Sequence, residues 1–270
     1  MAKRKIKRKT AKGRKVKKIS HLRKPEDMPL EQWQIALRKQ FAQKQNFRLK
    51  NIGEEPIFSE FTVTNPETGG EYRVAIRGQR IGDNYCSCPD FAVNTLGTCK
   101  HIEFTLAKLQ RKRGGKKAFV DGFQPAYSEI YLRYGAKREV MFSPGSECPK
   151  SLLELASRYF DKYGILKSQG YSRFDTFMRK AGAIKHDLRC YEDTMGFIAQ
   201  VRDQALLKKR IEKAFPSGAN SAAFRKLLKA QLYPYQREGT LFAAKAGRSL
   251  IADDMGLGKT IQAIATVEIL

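Results

Sequence analysis

Two stretches of this sequence hold residues whose types and spacing can do chemistry. The first is Cys86, Cys88, Cys99 and His101. In an extended strand, residues i and i+2 point to the same face, so Cys86 and Cys88 present two sulfurs on one side. Cys99-Lys100-His101 falls where a loop enters a helix and presents a sulfur and a ring nitrogen from the first turn. Ten intervening residues, with Pro89 and Gly97 as turn formers, can fold one pair back onto the other. Three thiolates and one imidazole fill a tetrahedron, which describes a closed, structural Zn²⁺ site with no position left for a catalytic water. The competing reading is a buried cysteine cluster beside a solvated histidine.

The second stretch is Asp253-Asp254-Met255-Gly256-Leu257-Gly258-Lys259-Thr260, between a short apolar run and an apolar helical pattern. Gly256 and Gly258 let backbone N–H groups approach and cradle phosphates at a helix N-terminus. Lys259 is then placed to reach the β- and γ-phosphates, and the Thr260 hydroxyl to hold Mg²⁺. Asp253 stands where the general pattern has its first glycine, so Gly-Lys-Thr by itself is weak support.

The elements that must position these residues are legible to different degrees. Leu30, Trp33, Leu37 and Phe41 follow one face of a helix ending near Asn46. Ile57, Phe61 and Val63 alternate with polar residues, a turn spans Asn65 to Gly70, and Tyr72, Val74 and Ile76 alternate again, which predicts a β-hairpin. A turn from Gly78 to Asn84 leads into the first cysteine pair, and Ile102, Leu106 and Leu109 predict a helix after the second. Gln110–Lys117 reads as a basic, glycine-containing break and the first domain boundary. Further on, Ile130, Leu132 and Tyr134 with Val140 and Phe142 predict another hairpin, and helical patterns fall at 149–162, 171–181 and 191–215. Leu232-Tyr233-Pro234-Tyr235-Gln236 is followed by an amphipathic stretch to Gly247, and Ser249–Ala252 reads as a short strand before the glycine loop. No chemistry attaches to residues 120–230, which read as a structural or DNA-contacting spacer.

Charge narrows the partner. The 270 residues carry 52 Lys and Arg against 27 Asp and Glu, a formal net charge of +25, which points to a polyanion, nucleic acid ahead of membrane. Thirteen of the cations and no acid fall in residues 1–24, beginning Lys3, Arg4, Lys5, Lys7, Arg8, Lys9. This tail is expected to be disordered and to tether phosphates by releasing their counterions. A solubilising tail and, in a eukaryote, a nuclear import signal are the plainer readings. No apolar run approaches the ~18 residues of a membrane span. Five cysteines, three of them clustered beside a histidine, suit a metal site in a reducing compartment rather than a disulfide framework. Cys148 and Cys190 read as ordinary free thiols.

The run Tyr85-Cys86-Ser87-Cys88-Pro89-Asp90-Phe91, then Cys99-Lys100-His101-Ile102, resembles the SWIM zinc finger. That resemblance covers roughly residues 55–110 and implies a module that binds DNA or protein partners. The string from Asp253 to Ala263, about twenty residues after Leu232-Tyr233-Pro234-Tyr235-Gln236, resembles the Swi/Snf family of helicase-like DNA translocases. It implies an adenine-recognising role for Gln236, with phosphate and metal roles for Lys259 and Thr260. The order of the two motifs resembles bacterial members, implying a cytoplasmic, nucleoid-associated protein, or a nuclear one in a eukaryote.

The expected architecture is therefore α+β and multidomain. It comprises a basic tail (1–24), a small ββα zinc-finger lobe (25–113) and a mixed α/β spacer (118–230). Residues 231–270 would supply the first strand, P-loop and helix of a truncated RecA-like domain. By the same resemblance, the acidic, water-positioning and arginine groups of phosphoryl transfer lie in later motifs, so no complete catalytic set is expected in this chain and ATP with Mg²⁺ belongs to a longer protein. The leading expectation is the N-terminal part of an ATP-dependent translocase on double-stranded DNA. Its rival is a non-enzymatic zinc-dependent DNA- or protein-binding module that works at this length. An RNA-binding adaptor is a weaker third, because no aromatic–basic signature of an RNA-recognition sheet is present.

Overall fold

The structure, a computed structural model, describes residues 18–270. The cations Lys3 to Lys9 lie outside the described residues. The chain forms two compact units. One comprises the residues up to Gln124 together with the turn Arg133–Arg138, and the other comprises Pro125–Leu132 and Glu139–Leu270.

In the first unit, helix α1 (Leu30–Ala42) precedes strands β1 (Arg48–Asn51), β2 (Glu60–Thr64), β3 (Glu71–Ala75) and β4 (Tyr85–Cys86). The strands form an antiparallel meander in the order β1-β2-β3-β4, with Phe61 opposite Val74 and Val74 opposite Cys86. The β2–β3 hairpin follows the alternation of its sequence, which puts Phe61, Val63 and Val74 in the core. Its turn is held by the Asn65 side chain accepting the Glu67 N–H at 3.0 Å and by Gly69 at φ +70°. Three helices follow: α2 (Pro89–Val93), α3 (Lys100–Arg111) and α4 (Gly115–Asp121). The shared core joins Phe47, Phe58, Phe91, Ile102 and Phe104 to the three clustered cysteines.

Two expectations change here. The helix α1 forms where its spacing predicts, but its stripe packs little into the core: Leu30 and Phe41 are about half exposed, and Ala42 is the helix's buried residue. Instead the stripe holds residues read as the end of the tail. The Trp33 indole donates to the Ser20 carbonyl at 2.9 Å, and the Gln40 amide exchanges two hydrogen bonds with the backbone of Ile19. The break at Gln110–Lys117 is a helix junction rather than a boundary. Gly114 takes φ +78°, Gly115 packs so closely on the Leu109 carbonyl that a Cβ would collide with it, and Phe119 returns to the core against Phe58. The boundary falls instead at residues 124 and 125.

Gly82 is fixed by a close approach of the backbone. At φ +96° it donates to the Gly97 carbonyl and accepts from the Tyr134 N–H, and any Cβ there would meet the Tyr134 carbonyl oxygen. Gly82→Ala is expected to destabilise this unit by about 1–3 kcal/mol through backbone strain, read as a lower urea midpoint of the metal-loaded protein.

The second unit contains β5 (Ser128–Arg133), β6 (Glu139–Ser143), α5 (Lys150–Tyr159), α6 (Ser168–Ser172), α7 (Phe174–Gly182), β7 (Leu188–Cys190) and the long α8 (Glu192–Ala214). Its sheet has the order β6-β5-β7, with β7 parallel to β5. Phe160, Phe174 and Phe177 are fully buried and in ring contact. After α8 come α9 (Phe224–Leu227), α10 (Pro234–Ala246) and α11 (Lys259–Ile269), which share a core of Ile211, Phe215, Leu232, Leu241 and Ala265. Residues 231–270 thus pack on α8 and α9 rather than standing apart. The expected strand Ser249–Ala252 is not a strand, since no neighbour supplies the ladder hydrogen bonds that would define one. Ile264 and Val267 on α11 remain largely exposed, as one helix without a sheet cannot cover them. No helix among the described residues is long and apolar enough to cross a membrane.

Candidate metal centre

Cys86, Cys88, Cys99 and His101 converge and are all buried, each at 3% exposure or less. Their ligand atoms lie within 4.8 Å of one another. The Cys86 Sγ to His101 Nδ1 separation is 3.8 Å, close to the edge of a coordination tetrahedron with zinc bond lengths of about 2.0–2.3 Å. Among the described residues this is the one such group of metal-ligating side chains.

Short elements place each ligand. Cys86 ends β4, registered opposite Val74 of β3. Cys88 does not continue that strand. It is the N-cap of α2, because Pro89 starts the helix there, and its sulfur accepts the Phe91 N–H at 3.4 Å. Cys99 is the extended N-cap of α3, and His101 follows in its first turn. Two helix N-termini therefore direct N–H groups and positive dipole ends toward sulfurs that carry negative charge when they bind metal. The His101 ring is held between Tyr72 and Phe47, at centroid distances of 4.6 and 5.1 Å.

The charge balance of the three thiols argues for a cation. Hydrogen bonds from Cys86 and Cys99 hold the Cys88 thiol far below its ordinary range, so one sulfur ionises readily. Donation to Cys88 and Cys99 pushes Cys86 far up, and burial pushes Cys99 up to about 12. Three adjacent buried thiolates repel, and a dication removes that conflict. Zinc fits this donor set as a structural ion with every ligand supplied by the chain. Protons on Cys86 and Cys99 must leave when metal binds, so retention should strengthen as pH rises and fail as it drops. Chelator competition across a pH series is expected to show metal binding coupled to proton release, with zinc retained less well as pH falls.

Some supports of the site carry no sequence signal. The Arg38 guanidinium grips Asp90 with two hydrogen bonds, of 2.6 and 3.0 Å, tying α1 to α2 between the cysteine pairs. Phe47 and Tyr72, which hold the histidine, belong to no motif. Cys148 and Cys190 lie apart from the cluster, and burial raises the Cys190 thiol to about 12, away from reactivity at neutral pH.

In the second unit the glycine loop precedes α11, with Gly256 and Gly258 at φ +85° and +73°. Gln236 is buried beside it: its side-chain oxygen accepts the Tyr233 N–H, and its nitrogen donates to the Leu257 carbonyl at 3.1 Å. Lys259 Nζ donates to the carbonyls of Asp253 and Asp254 at 2.9 and 3.1 Å. Thr260 is exposed on the first turn of α11. The loop, Gln236 and Lys259 are therefore brought together, without the strand expected before them.

The metal centre falls within a match to a known class. Residues 72–110 match the SWIM zinc finger family. A 141-residue stretch, half of this chain, is 49% identical to the SWI/SNF-related matrix-associated actin-dependent regulator of chromatin subfamily A-like protein 1 homolog of Caenorhabditis elegans and covers 19% of that protein. Over 114 residues, 37% of this chain, it is 32% identical to the Xenopus tropicalis protein of the corresponding name, covering 12% of it. Over 38 residues, 14% of the chain, it is 60% identical to the human DNA annealing helicase and endonuclease ZRANB3, covering 4% of that protein. The chain thus spans less than a fifth of each of these relatives. No solved structure matches it. The chain carries a zinc-binding SWIM module and is related to SWI/SNF-type proteins.

Proposed function

We propose that this chain works as a zinc-dependent DNA-binding module. The observation that carries this reading is the closed Cys3His set, whose metal can only shape the lobe around it, in a chain of net charge +25. Zinc fixes the fold of the first unit, and the unit and the basic tail together engage the phosphates of double-stranded DNA. The zinc-loaded chain is expected to bind duplex DNA, to bind it much more weakly after chelation and to ignore ATP. An affinity unchanged by complete metal removal overturns the zinc dependence, and no binding at low salt overturns the DNA reading.

A second reading is favoured by one observation, the convergence of Gln236 and Lys259 on the loop Asp253–Gly258. In it the module serves an ATP-driven Swi/Snf-type translocase. Gln236 reads adenine, the backbone around Gly256 and Gly258 cradles phosphates, and Lys259 and Thr260 meet the terminal phosphates and Mg²⁺. Lys259 would have to exchange its two carbonyl partners for phosphate oxygens. These 270 residues are expected to show no ATP turnover that depends on Lys259. A turnover rate abolished by Lys259→Ala would make the translocase reading primary.

A further inference from the structure

The half-exposed stripe of α1 borders a cleft of about 560 Å³ formed wholly within the first unit. Leu37 and Phe41 give it an apolar floor, and His21, Arg38, Lys44 and Lys100 surround it. Asp90 is the one carboxylate in its lining, and Arg38 already engages it through both oxygens. The remaining charge is therefore positive, on Lys44 and Lys100. The Lys100 ammonium stands 5.3 Å from the Phe41 ring centre and 6.0 Å from that of Phe47.

We propose that this cleft is a seat for the sugar–phosphate backbone of nucleic acid, with Lys44 and Lys100 taking phosphates and Leu37 and Phe41 taking the sugar face. The inference rests on the DNA-binding function above and assigns its contact site. Two observations favour a nucleic acid over an acidic peptide. The chain enters the cleft at His21, directly after the tail's run of cations, and Ile19 and Ser20 are tied to α1 at its rim. Seventeen further residues can reach at most about 60 Å, along which a duplex offers a charge every 1.7 Å or so.

The same geometry explains why binding should need zinc. Lys100 lies between two metal ligands, Cys99 and His101, on the first turn of α3. The Phe47 ring neighbours both the His101 ring and the Lys100 ammonium. Releasing the metal frees both neighbours of Lys100 and its aromatic support at once, so the phosphate-binding cation loses its place.

The test uses the zinc-loaded full chain and a short labelled duplex, with anisotropy measured over a salt series. Lys44→Ala/Lys100→Ala is expected to bind about 10- to 100-fold more weakly at 0.1 M salt, with a log–log salt slope shallower by about 2. One zinc per chain should remain bound. Lys116→Ala/Lys117→Ala removes equal charge from exposed positions on α4 and is expected to change the slope by less than about half a unit. Equal losses in the two double variants, or parental affinity in the cleft variant, overturn the proposal. Polyglutamate that displaces the duplex only when Lys44 and Lys100 are present, and more strongly than unlabelled duplex does, assigns the cleft to an acidic peptide and likewise overturns it. Failure of the parent chain to bind duplex would show before any variant is made, and it would remove the DNA-binding function itself.

Discussion

Cys99→Ala should leave the protein without zinc and its first unit without a stable fold. Cys99 is completely buried and caps α3, so its sulfur is at once a metal ligand and part of the core. The elements the metal joins cannot stand alone: β4 has two residues and α2 has five, both far too short to form without tertiary support. Structural zinc contributes on the order of 10 kcal/mol to such a lobe, which is comparable to the whole ~5–15 kcal/mol stability of an ordinary domain. Losing one of four ligands also leaves the remaining thiols crowded and buried without a cation. The expected result is no zinc by elemental analysis and fast amide exchange throughout residues 72–110. Cys148→Ala, which removes a thiol outside the cluster, should keep one zinc per chain. Full metal retention in the Cys99 variant would refute the ligand set, and zinc loss with slow exchange preserved would show that the core holds without the metal.

How much of this was legible depends on whether the signal was local. The β2–β3 hairpin was, because alternation and turn chemistry lie within about twenty consecutive residues. The ligand set was, because two short cysteine motifs carry their own geometry. Cys88 was misplaced in a strand because its i+2 spacing from Cys86 suits a strand equally well; Pro89 at the first helical position was the signal that α2 begins there. β1 was missed because its four residues are mostly exposed and show no alternation; pairing with β2 makes it a strand. The pair Gly114-Gly115 looked like a break, whereas one glycine makes a left-handed turn and the other permits contact with the Leu109 carbonyl. The apolar stripe of α1 was read correctly as helical, and periodicity alone could not tell what would cover that face. In the second unit the P-loop-like string was plain, but Ser249–Ala252 could become a strand only with a partner. Arg38 with Asp90, 52 residues apart in sequence, had no signal at all.

Deleting residues 1–17 should weaken duplex binding on the order of a hundredfold or more at 0.1 M salt and leave zinc content unchanged. The segment carries cations from Lys3 to Lys17 and no acid, while Ile19 and Ser20, which hold the chain to α1, are kept. Each phosphate contact contributes about 0.9 to the salt slope on duplex DNA, so even a few contacts from this segment dominate the affinity. The loss should shrink toward zero as salt approaches 1 M, because released counterions no longer favour binding there. Chelation should act differently. It removes the folded part of the interface, so the deleted chain should lose its residual binding when zinc is withdrawn, while the intact chain should keep a weak, steeply salt-dependent remainder from its tail. Unchanged affinity after the deletion would make the segment a solubiliser and leave the folded lobe to bind by itself. Loss of all binding after the deletion, with zinc still in place, would mean the lobe contributes no contacts, and the metal would then have no part in DNA recognition.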